Sequence, residues 1–340
     1  MNINICPESL IDTCLKRGVS TKSTNQFVKT LFPDSSLDVS MRKKQIQRYT
    51  SNLKDLMKIP VIEQKSPEWY EMRRNLITAS DFAQALGEGK FGSQKQLYKN
   101  KCGYEEVVFN ASLPPLKWGN MFEYVAQTIY AQRCDVKVHE FGLVKHPSIE
   151  CFGASPDGIT EDGIMLEIKC PYKRKITGEI PMQYYYQIQG QLDVCDLDEC
   201  DYEECEFKES RDFIPGGVGK ENGCILENKV SGKYIYSDIK VWSEDDLQKW
   251  CLQSLDGSSP DDFVYHFWAL EKYNVIRVFR NKDFFDEKIV QLQEVWDKIK
   301  EYRGDETLYQ REVVSASSSE GRTSKRGGAH ALQLEDFLLV

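Results

Sequence analysis

The sequence of 340 residues lacks several signals that would place it in common protein classes. No apolar run approaches the roughly 20 residues that a membrane span requires. The N-terminal segment has neither the basic start nor the apolar core of a signal peptide. We therefore expect an intracellular protein, located in the host cytoplasm or nucleus if it is viral, that is neither secreted nor membrane-bound.

The sequence also lacks familiar motifs of nucleotide-driven and metal enzymes. It has no glycine-rich phosphate loop, which argues against an ATP-driven helicase, and its four histidines form no HxH, HNH or HExxH pattern. Eleven scattered cysteines are expected to be free thiols in a reducing compartment. Cys195, Cys200 and Cys205 recur at five-residue intervals, but in a strand Cys200 and Cys205 point to opposite faces, which disfavours a metal cluster.

Positive charge is in deficit, because 44 basic residues face 53 acidic ones and the net charge is −9. This balance disfavours a general nucleic-acid coat protein but not a nuclease, since binding needs only a local basic surface and a metal site needs carboxylates. Segments 42–58 and 169–175 are basic, whereas 196–209 is strongly acidic. Each basic segment is either a solvated face or part of a path for nucleic acid.

The order of predicted elements indicates three regions. Residues 1–58 predict short amphipathic helices and form an N-terminal helical region. Residues 59–313 predict helices, then mostly consecutive strands, then helix and strand again, which is typical of an α/β or α+β domain with a mixed sheet flanked by helices. Residues 314–340 predict a flexible linker and the peptide ALQLEDFLLV, which is either a docked strand or a partner-binding motif.

The segment SPDGITEDGIMLEIKC carries the main chemical signal. Asp157 ends one predicted strand, and Glu167 and Lys169 share one face of the next, with Ile168 pointing the other way. A hairpin would bring Asp157 beside Glu167, and two such carboxylates form a hard-oxygen site for Mg²⁺ or Mn²⁺, with the carbonyl of Ile168 as a third ligand. Lys169 could orient or help to deprotonate an attacking water.

The pattern D-x₉-E-x-K alone is a weak signal, because two exposed polar positions on a hairpin would also produce it. The surrounding residues strengthen it. LEIKCP places charges inside an apolar strand, where a lone buried charge would be costly.

The chain resembles the λ-exonuclease-type, or YqaJ-like, branch of the PD-(D/E)xK nucleases, most closely the versions in large DNA viruses. Four blocks carry the resemblance in order: EWYEMRRNLITAS, WGNMFEYVA, GASPDGI with LEIKCP, and QYYYQIQGQL. They span about Pro67 to Gln191. The resemblance implies that residues 59–313 form a PD-(D/E)xK exonuclease domain. Asn75 stands where the family often has glycine, and residues 208–232 look like an inserted loop.

The resemblance implies roles for individual side chains. Asp157, Glu167 and Lys169 match the catalytic set, and Glu123 matches an acid that helps to hold a metal directly or through water. The implied cofactor is Mg²⁺, for which Mn²⁺ would substitute.

It also implies contacts to nucleic acid. Arg73 and Ser80 match residues that bind a 5′-terminal phosphate; a guanidinium offers a bidentate fork, and Ser80 lies where a helix N-terminus should attract anions. Gln187 matches a polar residue of the QxQ helix that lines the catalytic site. The other predicted DNA contacts are Tyr184, Lys173 and Arg174.

These implications predict a metal-dependent exonuclease that degrades double-stranded DNA from 5′-phosphorylated ends, in the 5′-to-3′ direction, during recombination, repair or viral genome processing. The alternatives are an endonuclease or RNase on the same fold, and a non-catalytic factor that binds DNA ends. The intact set of Asp157, Glu167 and Lys169 disfavours the last. Implied partners are DNA ends, a single-strand annealing or replication protein, and further copies of the chain.

Overall fold

The computed structural model describes residues 2–3, 6–62, 66–90, 92–104 and 113–315. The predicted linker and the ALQLEDFLLV peptide lie outside the described residues from position 316 onward. None of the described helices is both long enough and apolar enough to cross a bilayer.

The N-terminal region forms the helices expected from its periodicity: α1 (Pro7–Lys16), α2 (Thr21–Leu31) and α3 (Val39–Leu56). A side-chain cap starts each of them, since Cys6 accepts from an amide of α1, Ser20 from an amide of α2 and Asp38 from an amide of α3. The last turns of α3 bury Leu53 and Leu56 in the main hydrophobic core. The N-terminal helices are therefore packed against the remainder of the fold.

The other elements follow in chain order. The further described helices are α4 (Pro67–Arg74), α5 (Phe82–Ala85), α6 (Gln94–Cys102), α7 (Pro114–Cys134), α8 (Met182–Cys195), α9 (Glu244–Gln253), α10 (Lys282–Gly304) and α11 (Glu306–Tyr309), with 3-10 turns at Ala79–Asp81 and Pro260–Asp262 and a π-helical turn at Gln310–Ser315. The described strands are β1 (Asn2–Ile3), β2 (Ile77–Thr78), β3 (Val138–His139), β4 (Val144–Lys145), β5 (Phe152–Ala154), β6 (Gly158–Thr160), β7 (Met165–Lys169), β8 (Glu199–Ser210), β9 (Asn222–Asn228), β10 (Tyr234–Tyr236) and β11 (Phe263–Phe279).

Most of the described strands form one mixed sheet in the order β10-β9-β11-β8-β7-β6-β3, and β1 pairs in parallel with β11. The pair β7–β8 is also parallel, while the other pairs are antiparallel. A second, small sheet has the order β2-β5-β4. Helices cover both faces of the main sheet, so the predicted fold class is confirmed.

Strand β7 lies between two hydrophobic layers. Met165 belongs to the cluster formed with α8 and α10, whereas Leu166 and Ile168 belong to the cluster formed with α7. Because side chains alternate along a strand, Glu167 and Lys169 share the side of Met165 and face α8. The chain thus places two charged side chains within an otherwise buried strand.

Two sequence-based expectations differ from the structure. The alternating segment VKVHEFGLVKH predicts a single strand, but β3 and β4 within it belong to different sheets. Between them the chain passes so close to another segment that a Cβ on Gly142 would lie 2.9 Å from the carbonyl oxygen of Ile62. The interpretation of residues 208–232 as an inserted loop is wrong for β9. This strand is an interior strand, because it lies between β10 and β11 in the main sheet, and its residues Cys224, Ile225 and Leu226 are fully buried.

Candidate active site

The hairpin of β6 and β7 positions Asp157. The register pairs Gly158 with Leu166, so the preceding residue, Asp157, lies opposite Glu167. Asp157 Oδ2 accepts a hydrogen bond of 2.7 Å from the amide of Ile168. The predicted pairing of Asp157 and Glu167 is therefore present, and the amide of Ile168 orients one of the two carboxylates.

Glu167 is the most enclosed of the predicted site residues, with no exposed surface. Its Oε1 lies 2.6 Å from Lys169 Nζ, and its Oε2 accepts a hydrogen bond of 2.8 Å from Gln191 Nε2. The ammonium of Lys169 in turn lies 4.9 Å from the ring centroid of Tyr184. Strand β7 and helix α8 therefore meet at a buried carboxylate with a cationic neighbour and an amide donor.

The charges of this group act on one another. Burial raises the pKa of Asp157 well above its ordinary value, and the negative charges of Glu167 and Glu123 raise it further. Burial alone would lower the pKa of Lys169, but the carboxylates of Glu167 and Asp157 outweigh it and raise this pKa. Lys169 is consequently a charged ammonium at neutral pH, suited to orienting an oxygen or stabilising negative charge rather than to accepting a proton.

Glu123 approaches from helix α7 and is exposed to solvent. One turn further along this helix, Gln127 Nε2 donates a hydrogen bond of 3.1 Å to the backbone carbonyl of Asp157. This contact ties α7 to the end of β6. Gln127 was not predicted from the sequence, although its spacing of four residues from Glu123 places both on one side of the helix.

The residues present are compatible with a divalent cation, but they are not arranged as a closed set of ligands. Within the described part of the chain, no group of three or more His, Cys, Asp or Glu side chains lies in metal-binding geometry. Two observations favour a cation nonetheless. First, burial and the negative charges of Glu167 and Glu123 raise the pKa of Asp157, and a bound cation would offset these charges. Second, Glu167 Oε1 is buried without a well-directed hydrogen bond, although Lys169 lies beside it.

The predicted phosphate-binding residues also meet. Arg73, in the last turn of α4, donates to Thr78 Oγ1 and Ser80 Oγ, each at 3.3 Å. Its guanidinium carbon lies 4.6 Å from the ring centroid of Trp69. Ser80 is exposed and lies in the 3-10 turn that precedes α5, in agreement with the helix start expected there. Arg73 and Ser80 thus present two polar groups at one surface.

An ion pair supports this surface from the interior. Asp81 Oδ2 accepts from the amide and hydroxyl of Thr78, at 3.1 and 2.8 Å, and lies 2.8 Å from Lys101 Nζ. Lys101 also donates to the backbone carbonyl of Arg73 at 2.8 Å. Burial would raise the pKa of Asp81, but the charges of Lys101 and Arg73 lower it to about 2. The charged carboxylate therefore holds the hydroxyl that contacts Arg73.

A family model, the YqaJ-like viral recombinase domain, matches residues 68–198. Over these residues the chain is similar to the YqaJ-like family, which confirms the resemblance predicted from the four sequence blocks. The matched segment runs from α4 to the residue before β8 and contains all of the site residues described in this subsection so far.

Two viral proteins resemble the chain in sequence. Protein R354 of Acanthamoeba polyphaga mimivirus is 28% identical over 312 residues, covering 75% of this chain and 56% of R354. Protein D345L of African swine fever virus is 25% identical over 162 residues, covering 38% of this chain and 46% of D345L. The chain therefore spans about half the length of each of these relatives.

A solved structure resembles the chain distantly. The alkaline exonuclease LHK-Exo of Laribacter hongkongensis is 19% identical, with a TM-score of 0.45, over 76% of this chain and 100% of that one. The structure of LHK-Exo in complex with dAMP is 20% identical, with a TM-score of 0.46, over 74% of this chain and 100% of that one.

Helix α8 of the matched segment contributes differently from the expectation. The hydrogen bond to Glu167 comes from Gln191, one turn after the predicted Gln187. Gln191 is 1% exposed and also donates, at 3.4 Å, to the carbonyl of Ser155 near the end of β5. Tyr184, the other residue predicted on this helix, covers Lys169 with its ring. Both glutamines lie on the helix face towards β7, so the sequence pattern alone could not separate them.

The basic segments are less available than their composition suggests. Arg42 is fully buried and bonds to Asp12 and Glu199, so the expectation that it faces DNA is wrong. Arg174 Nη2 lies 2.6 Å from the buried carboxylate of Glu204. Lys173, by contrast, is exposed, with its ammonium 5.5 Å from the ring centroid of Tyr172.

The cysteines that recur at five-residue intervals do not converge. Cys195 ends α8, and Cys200 and Cys205 lie on β8. Cys200 belongs to the hydrophobic cluster of α8 and Cys205 to that of α7, so the two point to opposite faces of the sheet as their spacing predicts. The eleven cysteines are all free thiols.

Proposed function

We propose that this protein is a metal-dependent exonuclease that hydrolyses double-stranded DNA from 5′-phosphorylated ends in the 5′-to-3′ direction. The observation that carries the proposal is the convergence of Asp157, Glu167 and Lys169 on β6 and β7, inside the segment matched by the family. A carboxylate pair with an adjacent ammonium suits phosphodiester hydrolysis, in which an anionic centre gains negative charge.

Asp157 and Glu167 would hold the cation, with the backbone carbonyl of Ile168 as a further ligand and Glu123 acting directly or through water. Mg²⁺ is the proposed ion and Mn²⁺ a substitute, because hard carboxylate oxygens favour both. When bound, such an ion polarises a phosphate and lowers the pKa of a water ligand.

The protein groups have separate tasks in this proposal. Lys169 orients the attacking water with its ammonium and offsets the charge that grows on the phosphate oxygens. Gln191 fixes one oxygen of Glu167, and the amide of Ile168 fixes one oxygen of Asp157, so both carboxylates are held before substrate arrives. Tyr184 covers Lys169 and limits the positions that its flexible side chain can adopt.

Arg73 and Ser80 would read the DNA end. A terminal phosphate monoester carries more negative charge and more free oxygens than an internal diester, so a guanidinium with a hydroxyl neighbour distinguishes the two. Thr78 and the ion pair of Asp81 with Lys101 hold these two groups in place. Lys173 and Arg174 are proposed contacts to the DNA backbone.

The wider context is proposed on the same basis. The protein would act in recombination, repair or viral genome processing inside the cell, on DNA ends, together with an annealing or replication protein or further copies of itself. Residues 59–313 would form the nuclease domain, with 1–58 as a helical addition.

The first experiment compares linear and circular duplex DNA in the presence of Mg²⁺ or EDTA. We expect linear DNA to be degraded with Mg²⁺ only and circles to persist; degradation of closed circles would refute the exonuclease. Lys169→Ala should lower kcat by about 100- to 1,000-fold, as removal of one preorganised charge-stabilising donor does. Lys300→Ala on α10 serves as the matched lysine control, because Lys300 is exposed and pairs with the exposed Asp297.

The second experiment compares linear DNA carrying 5′-phosphate and 5′-hydroxyl ends. Wild-type protein should prefer the phosphate, and Arg73→Ala should abolish that preference. Arg74→Ala is the matched control, since the neighbouring Arg74 pairs with the exposed Glu71 instead. Equal rates on both ends in the wild-type protein would remove the role proposed for Arg73 and Ser80.

A further inference from the structure

Three tyrosines form a surface beside Glu123 to which the proposed chemistry assigns no role. Tyr124 lies on α7, and Tyr234 and Tyr236 lie on β10, where alternation puts both on one face. The ring centroids of Tyr124 and Tyr236 are 4.6 Å apart, and those of Tyr234 and Tyr236 are 6.0 Å apart. We refer to these three residues as the tyrosine surface.

Packing of the fold explains only part of this surface. Tyr234 and Tyr236 are partly buried against the hydrophobic cluster of α7, whereas Tyr124 remains 48% exposed. The rings of Tyr124 and Tyr236 are tilted by 40° to one another, so the half-exposed ring of Tyr124 is supported by a second ring while about half of it stays accessible to a ligand. Tyrosine suits such a position because its large ring has few rotamers to lose on binding.

The tyrosine surface adjoins the candidate active site. Tyr124 directly follows Glu123, and the charge of Glu123 acts on both Asp157 and Tyr236. Glu227 lies close enough to Tyr234 for its charge to act on that hydroxyl. Glu227 is itself paired with Lys117 at 2.6 Å and with His266 at 2.9 Å, so the acidic side of the surface is Glu123. The charge of Glu123 repels phosphates but does not oppose the stacking of a neutral base.

We propose that the tyrosine surface stacks the unpaired bases of a DNA strand whose backbone enters the carboxylate site. Duplex bases are already stacked on one another and cannot offer their faces, so the ligand is single-stranded DNA at a frayed end. The charge of Glu123 turns the phosphates away from the rings, and the proposed cation attracts them to the carboxylate site. This inference rests on the proposed nuclease function and adds a substrate contact to it.

The test measures binding of the full chain to a fluorescent 5′-phosphorylated oligothymidylate of about 12 nucleotides, by anisotropy, in EDTA so that nothing is hydrolysed. A second oligonucleotide has the same backbone and charge but abasic sites at its 5′ end. We expect Tyr124→Ala to weaken binding to the thymidylate about tenfold, because a change of this size lies within the range that stacking of one base on an aromatic ring contributes. Binding to the abasic strand should not change.

Matched variants separate stacking from other effects. Tyr124→Phe keeps the ring and should bind like the wild type, and Tyr236→Leu keeps apolar packing but should weaken binding. Phe27→Ala removes an equally exposed ring, 47% exposed on α2, and should have no effect.

Several results would overturn the proposal. The first is that Tyr124→Ala binds the thymidylate as tightly as the wild type does, and the second is that this variant loses as much affinity for the abasic strand as for the thymidylate. The third is that an oligouridylate binds more tightly than the thymidylate and also depends on the rings, which would assign the surface to RNA. Failure of the proposed function is distinguishable, because in that case the wild type hydrolyses no DNA with Mg²⁺ while the ring-dependent binding in EDTA persists.

Discussion

Gln191 offers a sharp test of how the site is held together. Its side chain is buried in α8 and donates to Glu167 Oε2 at 2.8 Å, while Glu167 has no exposed surface. Gln191→Leu keeps the volume of the side chain and removes its donor. Glu167 Oε2 then loses its amide partner in an interior that water does not reach, and the carboxylate is free to rotate about its last torsion.

The size of the effect follows from the nature of this bond. A hydrogen bond to a charged group contributes about 1.5–3 kcal/mol. Expressed as a change in rate or affinity, this is roughly 10- to 100-fold. Loss of a residue that orients a metal ligand lowers metal affinity or activity by a similar factor. We therefore expect the Mg²⁺ concentration for half-maximal activity to rise, or kcat to fall, by about 10- to 100-fold.

The measurement is degradation of linear duplex DNA over a Mg²⁺ titration, with thermal unfolding of each variant as a check on folding. Gln293→Leu is the matched control, because it makes the same substitution at an exposed position on α10. Gln293→Leu should change activity less than about threefold, within the range of substitutions that remove no buried contact. Equal losses in the two variants, with both folded, would refute the assignment of Gln191.

Three further substitutions test the supporting structure. The neighbours of Asp81 lower its pKa from 3.8 to about 2, so its charge stabilises the fold above pH 3.8 and this contribution is lost as pH falls towards 2. Asp81→Asn should therefore lower the free energy of unfolding by about 2 kcal/mol at pH 7. If the difference in stability between wild type and variant does not narrow below pH 3.8, the ion pair with Lys101 is excluded. Arg42→Ala should cost about 3 kcal/mol in urea denaturation, because Glu199 stays buried with one cation fewer, and a cost below about 1 kcal/mol would contradict this. Gly158→Ala should lower stability by about 1–3 kcal/mol and reduce DNA hydrolysis, because a methyl group there collides with β3; unchanged activity would show that β6 adapts.

The hairpin that carries Asp157 was predictable because its signals are local. Two short apolar strands, a turn at Gly163 with φ of +77°, and the spacing of Asp157 and Glu167 all lie within about a dozen residues. Helix α7 was predictable for the same reason, since its apolar residues recur at helical intervals over 21 residues. Short-range patterns of this kind specify a register without information about the rest of the fold.

Other features depend on distant parts of the chain. Helices α6 and α9 were not predicted, since few of their residues are buried and their apolar pattern is short. The alternating segment YNVIRVFR predicts a strand only over the end of β11, yet β11 spans 17 residues because β9 and β8 pair along its two sides. The choice of Gln191 over Gln187 likewise depends on how α8 docks on β7, and the periodicity of the helix does not determine that docking.

The acidic segment 196–209 shows why charge along a sequence is a poor guide to the surface. It forms most of β8, which lies between β7 and β11 in the interior of the sheet. Its carboxylates pair with cations from distant segments: Glu199 with Arg42, and Glu204 with Arg174. Two of the basic residues that composition suggested for a DNA path are therefore engaged in the fold itself, because a carboxylate buried in a strand needs a partner.

The consequence for nucleic-acid binding is specific. Arg42 is buried and Arg174 is paired, whereas Lys173 is exposed. If the proposed function is correct, a chain with a net charge of −9 would obtain much of its affinity for DNA from the metal ion, the terminal phosphate and base stacking. The affinity of a protein that neutralises 6–10 phosphates falls by a factor of about 10³–10⁵ between 50 and 200 mM salt. The affinity of this chain for DNA should therefore fall less steeply over the same range of salt concentrations.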